Sequence, residues 1–192
     1  MFNGNQNVRS ILLLSTEILI EEHRTIRKML TIMNLLCDRL DSGGTYESSD
    51  LRDTVDFIRE FADQLHHGKE EDLLFPAMEA AGVPREGGPV GVMLMEHEQG
   101  RAYVRAMAAA LKSDDTATFS KNARNYTRLL DQHIYKEDNI LYPLADRVLS
   151  TAQQDELEQA YGQVDQSLEG PARNAKARKL IQRLSGKFNP ET

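Results

Sequence analysis

One string occurs twice in this chain, and it carries histidine and glutamate one helical turn apart. Residues 66–76 read H-H-G-K-E-E-D-L-L-F-P and residues 133–143 read H-I-Y-K-E-D-N-I-L-Y-P. Aligned without a gap, His66 matches His133, Lys69 matches Lys136 and Glu70 matches Glu137, while Leu74, Phe75 and Pro76 match Leu141, Tyr142 and Pro143. A second pair, Glu22-His23 and Glu96-His97, precedes the two copies. The chain therefore reads as two related helical hairpins, each bringing the same side chains to the same place.

Four long segments show apolar residues at three- and four-residue steps, the period of an amphipathic helix. The first covers about residues 8–40, with Leu12, Leu19, Ile26, Leu30, Met33 and Cys37 on its stripe, and ends at Asp41-Ser42-Gly43-Gly44. The apolar stretch at its start is broken by Ser15, Thr16 and Glu17 and lacks a small-residue cleavage site, so it reads as helix rather than a signal segment. The second covers about residues 50–81, with Asp50 as the expected N-cap, and closes in a loop containing Gly82, Pro84, Gly87, Gly88 and Pro89. The third and fourth cover about residues 90–111 and 117–149, and nothing reads as a strand. These segments predict an all-α, antiparallel up-down-up-down four-helix bundle over residues 1–150. Residues 151–192 read as a helical extension broken at Gly170-Pro171 and basic near its end, through Arg173, Lys176, Arg178, Lys179 and Arg183. That run is either a docking tail for a protein partner or an ordinary solvated face packed on the bundle.

The phase of the repeat points to chemistry. His66 follows Ala62 by four residues and Ile58 by eight, and Glu70 lies one turn on. His133 follows Leu129 by four, and Glu137 precedes Ile140 and Leu141. His23 and His97 fall on the apolar stripes of the first and third segments. One histidine on an apolar face is an ordinary hydrogen-bonded core residue; four together with two glutamates are not. A buried carboxylate is costly unless paired or metal-bound, and no Lys or Arg on these stripes neutralises both. A pair of divalent ions would do so, and imidazole with carboxylate suits iron, zinc, copper or nickel. The candidate ligands are His23, His66, Glu70, His97, His133 and Glu137. His67 shares its 3.6-residue face with Asp56, Glu60 and Asp63 and is expected to point outward, leaving His67 and Glu71 as an alternative pair. Met29, Met33, Met93 and Met107 read as core filler, as does Cys37.

Composition removes most other classes. The 192 residues carry a formal charge of −7, which argues against a chain whose whole surface is built for nucleic acid. No apolar run approaches the roughly 18 residues of a membrane helix. The single cysteine excludes an internal disulfide, and the expected compartment is the cytoplasm. No nucleophile triad is visible, and Gly87-Gly88 reads as a turn rather than a phosphate loop.

Over about residues 15–149 the chain resembles the hemerythrin-like (HHE cation-binding) family, through the doubled H-x-x-x-E-[ED]-x-x-L-[FY]-P string and the two Glu-His pairs. The resemblance implies two iron ions, oxo- or hydroxo-bridged and bridged also by Glu70 and Glu137. One would take His23 and His66, the other His97 and His133. Oxygen-carrying members have a second histidine one turn along the third helix, where this chain has Arg101, and a longer spacing in the fourth. The ligand set is more similar to iron-centre-repair proteins and iron-sensing domains, with a gap at one iron for Glu98, His67 or solvent. Three functions follow as expectations. One is a di-iron protein that binds or reduces oxygen, peroxide or nitric oxide. The second is an iron sensor or iron donor without turnover. The third is a structural bundle whose polar network is metal-free or holds zinc.

Overall fold

A computed structural model describes residues 14–188 of the chain. The expected helical start over residues 8–13, with Leu12, lies outside the described residues. Among the described residues six helices follow one another: α1 (Ser15–Asp41), α2 (residues 48–80), α3 (Pro89–Lys112), α4 (residues 116–148), α5 (Thr151–Ser167) and α6 (Gly170–Phe188). Among the described residues there is no strand.

The stripe read from the sequence is the buried face. In α1 it buries Leu19, Ile26, Met29, Leu30, Met33 and Cys37, and from the other helices come Val55, Phe61, Met107, Tyr126 and Tyr142. The apolar residues form two separate cores rather than one. The first contains Ile26 to Cys37, Leu51 to Leu65, Val104, Met107 and Phe119 to Ile134, and α6 closes it with Ala177, Leu184 and Phe188. The second contains Leu19, Leu74, Phe75, Met78, Val90, Met93, Leu141, Tyr142 and Ala145, closed by Leu157 and Tyr161 of α5. Between them, at the level of His23, His66, His97 and His133, lies a buried polar layer.

Two helices are locally underwound in the same way. The Phe75 N–H donates to the Glu70 carbonyl and the Tyr142 N–H to the Glu137 carbonyl, a five-residue step that makes a π turn over Glu70–Leu74 and again over Glu137–Leu141. A proline follows each turn, Pro76 and Pro143. In a regular helix its ring would strike the carbonyl four residues back; the wider turn relieves that clash. A longer π stretch runs over Ile58–His67.

Helix ends show two departures from the sequence reading. Glu47, not Asp50, stands at the N-cap of α2, and Asp50 reaches back to accept the Glu47 N–H at 3.3 Å. The break between α5 and α6 falls at Leu168 and Glu169, one residue before Gly170, where Glu169 with φ 53° makes the bend; Gly170 and Pro171 open α6, because proline is tolerated in a first helical turn. Part of the basic run of α6 faces acids of its own chain, while Arg178 and Lys179 are exposed. Arg183 and Lys187 hold Asp50 at 2.7 and 2.6 Å, and Lys176 meets Glu60 at 2.5 Å.

Asp50 is fully buried, and although burial opposes its charge, Lys187 and Arg183 keep its carboxyl below its ordinary value of 3.8. Its contribution to stability is therefore complete above that value and lost as pH falls through its own lower one. Asp50→Ala should cost about 2 kcal/mol near neutral pH, since hydrogen bonds to charged groups contribute on that scale. The half-buried neighbour Asp53→Ala should cost far less. Urea melts of both variants check this, and equal losses would refute the assignment.

Candidate metal centre

Five histidines enter the polar layer, one each from α1, α3 and α4 and two from α2. All five use Nδ1 in the same way. His23 Nδ1 lies 2.6 Å from Asp138, His66 Nδ1 2.9 Å from Glu22, and His67 Nδ1 3.3 Å from Asp63. His97 Nδ1 lies 2.6 Å from Glu71 and His133 Nδ1 2.9 Å from Glu96. An ionised carboxylate only accepts, so each Nδ1 carries a hydrogen, and each ring in its neutral form presents a bare Nε2. Lysine or arginine backs each acid in turn. Lys69 meets Glu22 at 2.5 Å, Arg27 meets Asp138 at 3.2 Å, Arg101 meets Asp63 and Glu71 at 2.8 Å each, and Lys136 pairs with Glu96.

The bare nitrogens converge on Glu70 and Glu137. His23 Nε2 is 3.2 Å and His133 Nε2 3.0 Å from Glu137, while His66 Nε2 is 3.7 Å and His97 Nε2 3.5 Å from Glu70. His97 Nε2 and His133 Nε2 face each other at 3.0 Å. Tyr142 donates to Glu70 Oε1 at 2.6 Å, but Glu70 Oε2 and both oxygens of Glu137 have no hydrogen-bond partner. Carboxylate oxygens and imidazole nitrogens, buried and facing one another with no Lys or Arg among them, call for a cation, either protons or a metal. Two groups of four ligand atoms, each within 4.8 Å of one another, could hold one: His23, His66, Glu70 and Glu137, and His67, Glu70, His97 and His133. Imidazole and carboxylate with carboxylate-held Nδ1 are the donors a divalent transition metal takes, so the residues present fit.

Proton affinities show the same demand. Burial opposes charge on His23, yet Asp138 and Glu137 lift it to about 9; burial opposes charge on His133, yet Glu137 and Glu96 lift it to about 10. Burial and the neighbouring imidazoles hold His66 and His97 down and take His67 to about 3. Burial and the field of Glu137 raise Glu70, while His133 and His23 overcome burial to keep Glu137 low. Without metal, protons on His23 and His133 supply the positive charge that Glu137 demands, and a bound metal would displace them to leave both Nε2 atoms bare.

The structure brings together all six residues singled out in the sequence, and adds one. His67 is buried and stacked on His97, with ring centroids 3.8 Å apart, not outward. Its 3.6-residue phase fails because Ile58–His67 is π-wound, with more residues in each turn, so His66 and His67 both reach the inside. Asp63 turns in with it as its partner. Glu71 orients His97 instead of joining the centre, and Glu98 is exposed on Arg101. The sequence also carried an unread signal in its repeated Glu-His pairs, for Glu22 and Glu96 reach across to His66 and His133 rather than to their neighbours.

A helical bundle with a buried cluster of histidine and glutamate is a metal-binding class of protein. The family model described as the hemerythrin HHE cation binding domain matches residues 14–145, and the chain belongs to that family. Such domains bind metal ions, typically iron, and the His/Glu clusters here could bind metal. Uncharacterized proteins of Mycobacterium tuberculosis and Mycobacterium bovis are 27% identical over 143 residues, covering 71% of this chain. The chain spans about half, 55%, of the length of these curated relatives. No solved structure matches. Among the described residues no helix is long and apolar enough to cross a membrane.

Metal should stabilise the fold by mass action. At a free ion concentration a hundred times its dissociation constant, one site adds about 2.7 kcal/mol. For a chain of this size, the melting midpoint should rise by about 5–10 °C. Differential scanning calorimetry with ferrous iron and with chelator checks it; coincident curves would contradict a metal-linked fold.

Proposed function

We propose that this chain is a di-iron protein, on an up-down-up-down bundle, that binds or reduces a small oxidant such as oxygen, peroxide or nitric oxide. The observation that carries the reading is the convergence of five bare imidazole nitrogens and two carboxylates, three of whose oxygens are unpartnered. His23 and His66 would hold one ion and His67, His97 and His133 the other, with Glu70 and Glu137 between them. Two irons, when bound, supply two adjacent one-electron redox centres. The chain's own residues do the rest. The outer acids fix each ring's tautomer and strengthen its donor nitrogen. Tyr142 holds a proton at its hydroxyl, 2.6 Å from Glu70 Oε1 and 3.4 Å from His23 Nε2. The apolar cores on either side keep bulk water from the layer.

Wild-type protein should carry two irons per chain, with absorption bands that bleach on reduction. Glu70 belongs to both groups of four, so Glu70→Ala should lose most of the metal, whereas His67→Ala should keep the His23–His66 ion and hold about half as much. Elemental analysis with spectra before and after dithionite decides it. Full loading of Glu70→Ala and Glu137→Ala would sink the bridging role, and one zinc or no metal with an intact helical spectrum would favour a structural bundle.

A second reading, an iron sensor or donor, has its own observation. Lys69 is 0% exposed and joins Glu22, the partner of His66, to Asp165 of α5 at 2.8 Å. Metal occupancy and the docking of α5 thus share one ion-pair chain. For this reading, amide exchange in α5 should quicken severalfold on iron removal and the difference should disappear in Lys69→Met; exchange indifferent to iron excludes it.

A further inference from the structure

A cavity of about 160 Å³ enters between α2, α3 and α4, and His67 forms part of its wall. Its apolar walls are Ile58, Val104 and Leu130, and Tyr126 closes it on the α4 side. Tyr126 is 1% exposed and its hydroxyl has no hydrogen-bond partner. Burying a hydroxyl unpaired is costly, and such a group in a folded chain calls for an explanation. The other polar groups of the wall are taken. Asp63 holds Arg101 and His67, and Glu96 holds His133 and Lys136. Burial raises the Tyr126 phenol far above its ordinary value, so it keeps its proton and is a donor.

Gly100 lines the same cavity from the middle of α3. A Cβ there would meet the Tyr126 ring at 3.5 Å, an ordinary contact, so packing alone does not require glycine. Glycine in a helix interior costs about 1 kcal/mol relative to alanine. What its bare backbone leaves is space, beside the unpartnered hydroxyl.

The mouth is basic. Arg59 and Arg105 are exposed on it, and with Arg52 and Lys112 they line the adjoining surface groove, four cations against the one acid there, Asp56. None of the four forms an ion pair with a described residue, in a chain whose net charge is −7. A local positive field at a cleft concentrates anions there and speeds their capture. The other end of the centre differs. Lys69 is sealed beneath α5 at 0% exposure, whereas its repeat counterpart Lys136 keeps a side chain 31% exposed.

We propose that this cavity is the binding chamber for a small anionic hydrogen-bond acceptor, of the size of nitrite or hydroperoxide. Tyr126 is its inner donor, Arg59 and Arg105 draw it in, and it reaches the centre at the His67–His97–His133 end. The inference rests on the di-iron reading and names its ligand class and side of entry.

The test is nitrite titrated into metal-loaded protein by calorimetry, with iron content measured for every variant. Tyr126→Phe preserves the ring and should weaken nitrite about tenfold, the effect of one hydrogen bond to a charged group. Gly100→Leu should fill the chamber and weaken it at least as much. Arg59→Ala with Arg105→Ala should weaken it severalfold and remove most of its salt dependence. All should retain the wild-type iron content. An unchanged nitrite affinity in both Tyr126→Phe and Gly100→Leu overturns the proposal, as does an iron-loaded wild type that takes up no nitrite. A wild type without iron fails at the earlier step and removes the di-iron reading with it.

Discussion

Two carboxylates buried in the middle of a helical bundle, faced by imidazole nitrogens and by no Lys or Arg, are the constraint on which this structure turns. Burial of an unpaired charge costs more than any single apolar contact returns. The bundle answers with concentric rings. Bare imidazole nitrogens surround Glu70 and Glu137, acids hold the far side of each imidazole, and Lys or Arg holds each acid. Each ring fixes the orientation of the one inside it. The apolar residues divide into separate cores above and below, because the layer between them is given to this arrangement.

The repeated hairpin sets up near two-fold symmetry, and residues outside the repeat break it. Helix α5 lies over the first half and sequesters Lys69, while Lys136 in the second half stays partly exposed. The second half gains a third imidazole, His67, which comes from the first hairpin's own helix. On the third helix Arg101 grips Asp63 and Glu71, the acids that orient His67 and His97. Arg101 thus supports the histidines beside it without being a ligand. The approach along α3 ends in an open chamber rather than a packed core.

Much of this was legible in the residues. Apolar periodicity located the helices to within a few positions, and the repeat singled out six side chains that the fold does gather. The failures have specific causes. His67 was assigned outward on a 3.6-residue period, and the helix it occupies is π-wound. Lys69 shares no apolar stripe with Glu70, yet burial under α5 makes it a fully enclosed cation, which needs a distant segment to be in place. The reading of the α6 run as a face packed on the bundle agrees with the pairs that Lys176 and Arg183 make with Glu60 and Asp50, partners that spacing along the chain could not name.

The sequence by itself determined the helices, their buried faces and the chemical type of the centre, because those follow from side-chain spacing along a helix and from the cost of burying charge. Tertiary structure decided the fifth histidine, the acid that serves each ring, the sealing of one half and the open chamber beside the other. These depend on how far a helix is wound and on which remote helix lies against it, and both are properties of packing in three dimensions rather than of local spacing.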